Sequence, residues 1–237
     1  MKALILNSGL GSRMGVVTKE HPKCMTDLND RETILSRQLQ LLCDAGITEV
    51  VITTGYYHQT LEDYCNSLGL SLQYTFVLNP IYDKTNYIYS IYCAKEVLRD
   101  QDILLLHGDL VFEESVLRDL LAFKDSCMKV SSTVPLPEKD FKAVIHDGRV
   151  EKVGVEFFED AMEAQAMYKL CAQDWNVWLD EIENFCQSGN RKCYAEVAFN
   201  QISDRCVVYA YDVQDRLCAE IDNPEDLAVI QAKLAAL

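Results

Sequence analysis

Residues 2–15 read KALILNSGLGSRMG, an apolar strand that runs directly into a glycine-bearing loop. Glycine tolerates positive φ and lets backbone amides approach a phosphate closely. Arg13 in this loop can hold a phosphate with two hydrogen bonds, and Lys23 follows as a mobile positive charge. A tight strand-to-helix turn without a ligand is the alternative. The loop lacks the GKS or GKT ending of a Walker A motif, and Met14 interrupts the dinucleotide-binding GxGxxG pattern.

Strands and helices alternate around this loop through the first half of the chain. Strand character occurs at residues 2–7, 49–54, 71–77 and 102–107, and helical periodicity at 33–45, 58–67 and 87–99. Such strand–helix–strand units predict a parallel sheet covered by helices on both faces, with ligands bound beyond the carboxyl ends of the strands. We therefore expect an α/β fold with a mostly parallel, Rossmann-like sheet.

The second half of the chain is predicted to add a small antiparallel subregion. Strand character at 130–134 and 143–155 includes an Asp-Gly hairpin turn at 146–149. A helix over 173–188, a strand over 205–211 and a last helix capped by Asn223 follow. We expect a single domain over 1–237, made of an NTP-binding half (1–124), an acceptor-binding region (125–205) and a closing strand and helix (206–237).

Composition narrows the range of partners and compartments. The 237 residues carry a net charge of -15. A surface this acidic repels phosphate backbones and anionic lipids, so we expect neither nucleic acid nor a membrane as partner. The ten cysteines are scattered without a CxxC pair, and the sequence has no signal-peptide core and no long apolar run. These features predict a cytoplasmic protein. They leave the oligomeric state, including a homodimer, open.

Two short acidic stretches are candidate metal ligands. Asp109 follows the strand 102–107, where a carboxylate can hold Mg²⁺ against phosphate oxygens, although a turn aspartate bonded to its own backbone is the alternative. Asp222, in Glu220-Ile221-Asp222, could complete the site. For that stretch taken alone, stabilisation of the following helix is the stronger interpretation.

The segment LILNSGLGSRMG, followed by HPKCM at 21–25, resembles the signature of nucleotidyltransferases that make nucleotide sugars and CDP-alcohols. The same order of short motifs continues with Thr54-Gly55-Tyr56, Asn79-Pro80, Gly108-Asp109 and Glu220-Ile221-Asp222. Within that group the chain is most similar to bacterial choline-phosphate cytidylyltransferases and their aminoalkylphosphonate-using relatives. Residues 79–92, NPIYDKTNYIYSIY, resemble their NPxYxxxNNxYSLY stretch.

The resemblance implies a nucleotide-diphospho-sugar transferase type of fold and a role for each matching residue. Arg13 and Lys23 would be catalytic, holding the triphosphate and the attacked α-phosphate, and Asp109 and Asp222 would hold Mg²⁺. The nucleotide would contact Leu6, Asn7, Ser8, Gly9, Gly11, Ser12, Thr54, Gly55, Tyr56, Asn79 and Gly108. Asn86 and Ser90 would lie near the acceptor or the ribose, and Tyr87 is also expected in the acceptor site. Because a loop lysine is rarely part of a core, Lys23 is expected to matter for turnover rather than for folding.

Aromatic residues in the second half suggest where a cationic acceptor binds. Ring faces attract ammonium groups, and a carboxylate adds charge complementarity. On this ground we also assign the acceptor site to Tyr168, Tyr194 and Glu196. Core packing is the more common reason for such aromatics, which here include Trp175 and Trp178. Lys142 and Lys169 could instead meet the acceptor phosphate, although surface positions are favoured for both, and the four histidines are expected at surface or turn positions.

The predicted function is that of a Mg²⁺-dependent cytidylyltransferase. It would convert CTP and an amino-alcohol phosphate or aminoalkylphosphonate, of the phosphocholine or 2-aminoethylphosphonate type, to a CMP-linked product and pyrophosphate. Two departures from the family pattern bear on which base and which acceptor the protein uses. The usual LAAG is LNSG here, and Thr85 replaces the first Asn of NNxYS. The alternatives are a sugar-1-phosphate nucleotidyltransferase and a non-catalytic nucleotide-binding regulatory protein.

Overall fold

Four parallel strands form the half of the sheet that grows outward from the amino terminus. A computed structural model describes residues 1–9, 14 and 21–236 of the chain. In it, β1 (Lys2–Leu6) lies between β2 (Glu49–Thr54) and β4 (Ile103–His107), and β3 (Gln73–Leu78) pairs outside β2. The parallel register places Leu6 beside Thr53 and His107, so the carboxyl ends of these strands meet at one edge.

The remaining strands extend this sheet and add a separate ribbon. Among the described residues the order is β3-β2-β1-β4-β9-β6-β10-β8-β7 in one sheet and β11-β5 in a ribbon. The added strands are β5 (Leu110–Phe112), β6 (Cys127–Ser131), β7 (Lys142–His146), β8 (Arg149–Gly154), β9 (Ala161–Leu170), β10 (Tyr209–Asp212) and β11 (Cys218–Glu220). The long strand β9 runs antiparallel to β4, β6 and β7.

Helices cover both faces of the sheet, as the alternation of buried side chains in β1 requires. Leu4 and Leu6 join one apolar cluster and Ala3 and Ile5 join another on the opposite face. The helices are α1 (Ile34–Asp44), α2 (His58–Ser67), α3 (Tyr87–Cys93), α4 (Lys95–Leu98), α5 (Glu114–Ala122), α6 (Ala172–Gln187), α7 (Ala195–Phe199) and α8 (Pro224–Leu234). The α/β class expected from the sequence is confirmed.

Local signals set the ends of the best-defined helices. Thr33 and Ser36 form a reciprocal capping box at the start of α1. The Asn223 side chain accepts a hydrogen bond from the Asp226 amide at the start of α8, with Pro224 in the first turn. All ten cysteines are free thiols. No helix among the described residues is both long and apolar enough to span a bilayer.

Candidate functional site

A cleft of about 400 Å³ opens where β1 and β4 end. Its lining comes from parts of the chain that lie far apart in sequence. These are the end of β1, the Lys23–Met25 turn, the 79–90 segment, residues 107–109, residues 139–141, Val155, Tyr194, Glu220 and Asp222. Its position beyond the carboxyl ends of parallel strands is where α/β sheets bind ligands.

Lys23 lies between two aspartates that line the cleft. Its Nζ donates to Asp109 Oδ2 at 2.5 Å and to Asp222 Oδ1 at 2.6 Å. Burial opposes the lysine charge, but these carboxylates outweigh it and raise the Lys23 pKa above its ordinary value. Burial likewise opposes ionisation of Asp109, while Lys23 and His107 overcome it and lower the Asp109 pKa. Lys23 and Asp109 are therefore both charged at neutral pH.

The β5–β11 ribbon is what brings the two aspartates together. Glu220 pairs with Leu110 in the ribbon, and the Ile221 amide donates to the Asp109 carbonyl at 3.1 Å. Carboxylate oxygens from Asp109 and Asp222 therefore converge on one point, held now by an ammonium group. Two converging carboxylates are a donor set that suits a hard divalent cation such as Mg²⁺. His107, Asp109 and Glu220 also bring potential ligand atoms within 4.8 Å of one another.

His107 and three aromatic rings line the cleft next to the Lys23–Asp109 pair. The His107 Nδ1 lies 2.8 Å from Glu220 Oε1. Burial disfavours the imidazolium, but Glu220 more than offsets this and raises the His107 pKa to about 9. The Tyr87 ring meets His107 edge-on with centroids 4.8 Å apart, and Tyr194 meets Phe141 edge-on at 5.1 Å. We call Tyr87, His107, Phe141 and Tyr194 the aromatic box.

Glu196 supports this box from behind. It is 1% exposed and accepts hydrogen bonds from the hydroxyls of Tyr87 and Tyr168. Burial, followed by the Glu196 charge, raises the pKa of both tyrosines well above the ordinary value, so both hydroxyls keep their protons. Tyr168 packs edge-on against Trp178 in the core. Glu196 therefore fixes the orientation of the Tyr87 ring.

Asn79 organises the loop that leads to Tyr87. Its Nδ2 donates to Thr85 Oγ1 and Ser90 Oγ, each at 3.0 Å, and its Oδ1 accepts from the Ile81 amide. The side chain is 1% exposed and its polar atoms are used within the protein. Thr85, the departure from the NNxYS pattern, is thus one of the groups that Asn79 holds.

Two glycines make room for the residues after β1. A Cβ on Gly108 would lie 1.7 Å from Asn7 Oδ1, and one on Gly55 would lie 2.4 Å from the Ser8 carbonyl oxygen. The first contact is with a side chain, which can rotate away. The second is with backbone, which cannot move without shifting the end of β1. Gly55 is therefore a steric requirement of the loop that follows β1.

We predict that Gly55→Ala lowers the free energy of unfolding by about 1–3 kcal/mol, the usual cost of overpacking. Gly9→Ala is the matched control, because a Cβ there meets nothing within 4 Å. Urea denaturation of both variants measures the difference. Equal stability of the two would show that the β1 end accommodates a methyl group at residue 55.

The structure brings most of the predicted site residues together. The cleft is lined by Leu6, Asn7, Ser8, Gly9, Lys23, Asn79, Asn86, Tyr87, Ser90, Gly108, Asp109, Tyr194 and Asp222. Arg13, Gly11 and Ser12 lie outside the described residues. His107, Phe141, Glu220, Tyr82 and Lys139 line the cleft as well. Of these, Glu220 stood in a recognised motif, whereas only the three-dimensional fold brings Phe141 to the site.

Some of the residues that were predicted to contact a ligand do not line the cleft. Within the described part of the chain, Thr54, Gly55, Tyr56, Tyr168 and Glu196 are absent from its lining. Thr54 is buried at the end of β2, and Tyr56 is 63% exposed beside Tyr82. Tyr168 and Glu196 act behind Tyr87, because β9 and α7 place them one layer deeper.

Three further residues were predicted to lie at the surface or in turns, and the structure shows that this prediction was wrong. Lys142 is buried and donates to the Pro137 carbonyl, and Lys169 is buried and donates to that of Phe123. The ammonium group of each lysine is therefore hydrogen-bonded to a backbone carbonyl. His107, expected at a surface or turn position, is half-buried in the site itself. By contrast, Trp175 and Trp178 are fully buried in the core. Core packing was the more common interpretation of these aromatics.

Comparison with known proteins identifies the family. The family model described as MobA-like NTP transferase domain matches residues 3–136, which is more than half of the chain. The chain belongs to the MobA-like NTP transferase family. The match covers β1 to β6, including Lys23 and Asp109, but ends before Tyr194 and Asp222.

Several relatives of this NTP transferase are named for cytidylyl transfer. It is 30% identical over 160 residues to the CTP:phosphoglutamine cytidylyltransferase of Campylobacter jejuni, covering 65% of this chain and 62% of that one. It is 30% identical over 166 residues to the CMP-5'-(3-aminopropyl)phosphonate synthase of Streptomyces rubellomurinus, covering 70% of this chain and 26% of the relative. The chain thus spans less than two thirds of either protein.

A solved structure extends the likeness to the whole fold. The CTP:phosphocholine cytidylyltransferase of Streptococcus pneumoniae superposes with a TM-score of 0.78 over 98% of both chains, at 20% identity. At that identity the superposition establishes a shared fold. It also covers the second half of the chain, which lies beyond the family match.

Proposed function

We propose that this NTP transferase is a cytidylyltransferase that joins the CMP part of CTP to a small phosphate or phosphonate carrying a cationic group. The observation that carries the proposal is the composition of the cleft. Lys23, Asp109 and Asp222 are the group proposed to bind phosphate and metal, and the aromatic box lines the same cleft beside them. Relatives named for CTP and for aminated or amidated acceptors support the choice of base and acceptor.

The proposed reaction is an in-line displacement at the α-phosphorus. An oxygen of the acceptor phosphate or phosphonate forms the new P–O bond, and the bond to the pyrophosphate oxygen breaks. Little covalent work is required of the protein, so positioning and charge neutralisation supply the rate enhancement. Lys23 is held as an ammonium group in the cleft, where it can neutralise charge on the attacked phosphate.

Asp109 and Asp222 are the residues that would hold Mg²⁺. The bound ion would neutralise negative charge on the triphosphate oxygens. The carboxylates are already oriented toward a common point by the β5–β11 ribbon. Arg13 is proposed to contact the triphosphate from the glycine-bearing loop.

The Tyr87 and Tyr194 rings of the aromatic box are proposed to hold the cationic end of the acceptor, while the charge of His107 is balanced by Glu220. Ring faces of Tyr87 and Tyr194 offer negative electrostatic potential, and Glu220 adds a carboxylate nearby. Tyr194 is 40% exposed, so part of its ring remains available to a ligand. Lys139, on the rim of the same cleft, could meet the acceptor phosphate.

Pyrophosphate release tests the proposal directly. The assay crosses CTP, UTP, ATP and GTP with phosphocholine, phosphoethanolamine, 2-aminoethylphosphonate, a phosphorylated glutamine and glucose 1-phosphate, in the presence of Mg²⁺. Turnover restricted to CTP and an acceptor bearing an amino, ammonium or amide group is the expected result. Turnover with the sugar phosphate would move the protein to nucleotide-sugar synthesis. Nucleotide binding without turnover would favour a regulatory protein.

We predict that Tyr194→Leu raises the KM for the cationic acceptor roughly 3- to 30-fold, the range of one lost cation–π contact. The KM for CTP should stay within twofold, because Tyr194 packs against Tyr87 and Phe141, whereas Lys23 is bonded to Asp109 and Asp222. Tyr92→Leu is the matched control, since Tyr92 stacks on Tyr89 away from the cleft. A rise in the KM for CTP alone would place the nucleotide, not the acceptor, beside Tyr194.

A further inference from the structure

One polar side chain interrupts the buried face of α1. This face is made by Ile34, Leu35, Leu39 and Leu42, and Gln38 lies among them with 1% of its surface exposed. An amide group in apolar surroundings costs free energy unless its hydrogen bonds are made. An apolar side chain of the same size would pack here without that cost. The amide of Gln38 therefore calls for a reason other than core packing.

The Gln38 amide bridges the two ends of the turn that carries Asp109. Its Nε2 donates to the His107 carbonyl at 2.9 Å and to the Leu110 carbonyl at 2.7 Å. Two carbonyl acceptors require an NH₂ donor, which fixes the orientation of the amide. Gln38 Oε1 is buried and has no hydrogen-bond partner among the described residues. The side chain thus keeps both bonds to this turn although its own acceptor is left unpaired.

Backbone hydrogen bonds complete the support of this turn. The Gly108 amide donates to the Leu6 carbonyl, and the Asp109 carbonyl accepts from the Ile221 amide, each at 3.1 Å. Each of the four residues in the turn therefore has a backbone group that is held from outside the turn. Gln38 supplies the two outer bonds, so its loss would free both ends of the turn at once.

The same helix also holds the segment that carries Lys23. The Ile34 amide, in the first turn of α1, donates to the Thr26 carbonyl at 3.1 Å, and the Thr26 amide donates to the Lys23 carbonyl at 3.0 Å. α1 is therefore linked by hydrogen bonds to both chain segments whose side chains meet in the Lys23–Asp109 contact. One helix thus sets the position of these two segments relative to each other.

We propose that Gln38 is a positioning residue that orients Asp109 for metal binding in the cleft. The inference rests on the proposed function for the role of Asp109, and Gln38 itself does not line the cleft. Because its amide holds the turn at both ends, the Asp109 carboxylate stays directed toward the point that it shares with Asp222. A displacement of about 1 Å at such a group can lower a rate roughly a hundredfold.

The test is Gln38→Met, which keeps the length of the side chain and removes its two donors. Mg²⁺ alone is titrated while the melting temperature is measured, and pyrophosphate release is followed over the same range of Mg²⁺. We expect the half-saturating Mg²⁺ concentration to rise roughly tenfold or more in both measurements, the scale seen when a group that orients a metal ligand is lost. Gln38→Asn, which keeps an amide too short to bridge both carbonyls, should show the same shift.

Two controls on the same helix separate positioning from stability. Gln40→Met removes an exposed amide that donates to Asp44, and it should leave the melting temperature and the Mg²⁺ response unchanged. Leu42→Ala opens a cavity at a fully buried position, so it should lower the melting temperature without changing the half-saturating Mg²⁺. A weaker Mg²⁺ response that only followed lost stability would appear in Leu42→Ala as well.

Three results would overturn the inference: a wild type whose melting temperature does not respond to Mg²⁺, a wild-type half-saturating Mg²⁺ in both Gln38 variants, or an equal shift in Leu42→Ala. If the wild type releases no pyrophosphate with any acceptor, the proposed function fails. The thermal titration with Mg²⁺ alone then still decides whether Gln38 orients Asp109.

Discussion

Lys23→Ala is expected to lower kcat by roughly a hundred- to a thousandfold, the scale seen when a preorganised charge-stabilising group is removed from an active site. The side chain is the cation at the convergence of two carboxylates, and no smaller residue reaches that point. Pyrophosphate release under saturating CTP and acceptor measures the loss. Lys95→Ala, which removes a lysine paired with Glu96 outside the cleft lining, should retain full activity.

The same variant is expected to be less stable without Mg²⁺, contrary to what a loop lysine suggests from sequence alone. Removing Lys23 takes away a cation that both Asp109 and Asp222 contact. Their side chains are 22% and 16% exposed, so the cost should be about 1–2 kcal/mol, below the range for fully buried pairs. Added Mg²⁺ should restore part of the melting temperature. An active Lys23→Ala enzyme would exclude the assigned role.

Asp109→Asn is expected to reduce kcat by roughly a thousandfold, or about 4 kcal/mol in the activation free energy. The amide keeps the shape of the side chain but loses the charge that a divalent cation requires. A second readout does not depend on turnover: Mg²⁺ should raise the melting temperature of the wild type but not that of the variant. Dialysis of the wild type against a chelator should likewise abolish turnover, and Mg²⁺ should restore it.

Asp180→Asn is the matched control for this prediction. Asp180 also forms an ion pair, with Arg99 at 2.8 Å, but it lies outside the cleft lining. Its amide variant should keep both turnover and the thermal response to Mg²⁺. If Asp109→Asn retained the Mg²⁺ response, the metal would have to be held elsewhere in the protein. His107 and Glu220, whose ligand atoms lie close to that of Asp109, would then be the residues to test.

The parts of the fold that sequence predicted well are those fixed by local chemistry. α1 begins beside its capping threonine, and α8 begins after Asn223 with proline in its first turn. β9 had no such signal, because AMEAQAMYKL contains few residues with a preference for strands. Its extended form is set by pairing with β4, β6 and β7, which are distant in sequence.

The candidate site likewise has a part that the sequence predicts and a part that depends on the three-dimensional fold. Lys23, Asp109 and Asp222 stand in short motifs that keep their order along the chain, so sequence alone could propose them as one site. The contact between His107 and Glu220 joins residues 113 positions apart and belongs to no contiguous motif. Glu196 and Tyr168 were expected to touch the acceptor, but the depth of a residue below a pocket wall depends on packing, which spacing does not encode.

The β5–β11 ribbon has a consequence for synthesis of the protein on the ribosome. β1 to β4 are translated before β11 and Asp222. A nascent chain can therefore assemble the central parallel strands before it possesses both aspartates that face Lys23. Competence for the proposed reaction would arise only after residues 218–222 leave the exit tunnel and pair with β5, so an incomplete chain could not consume CTP.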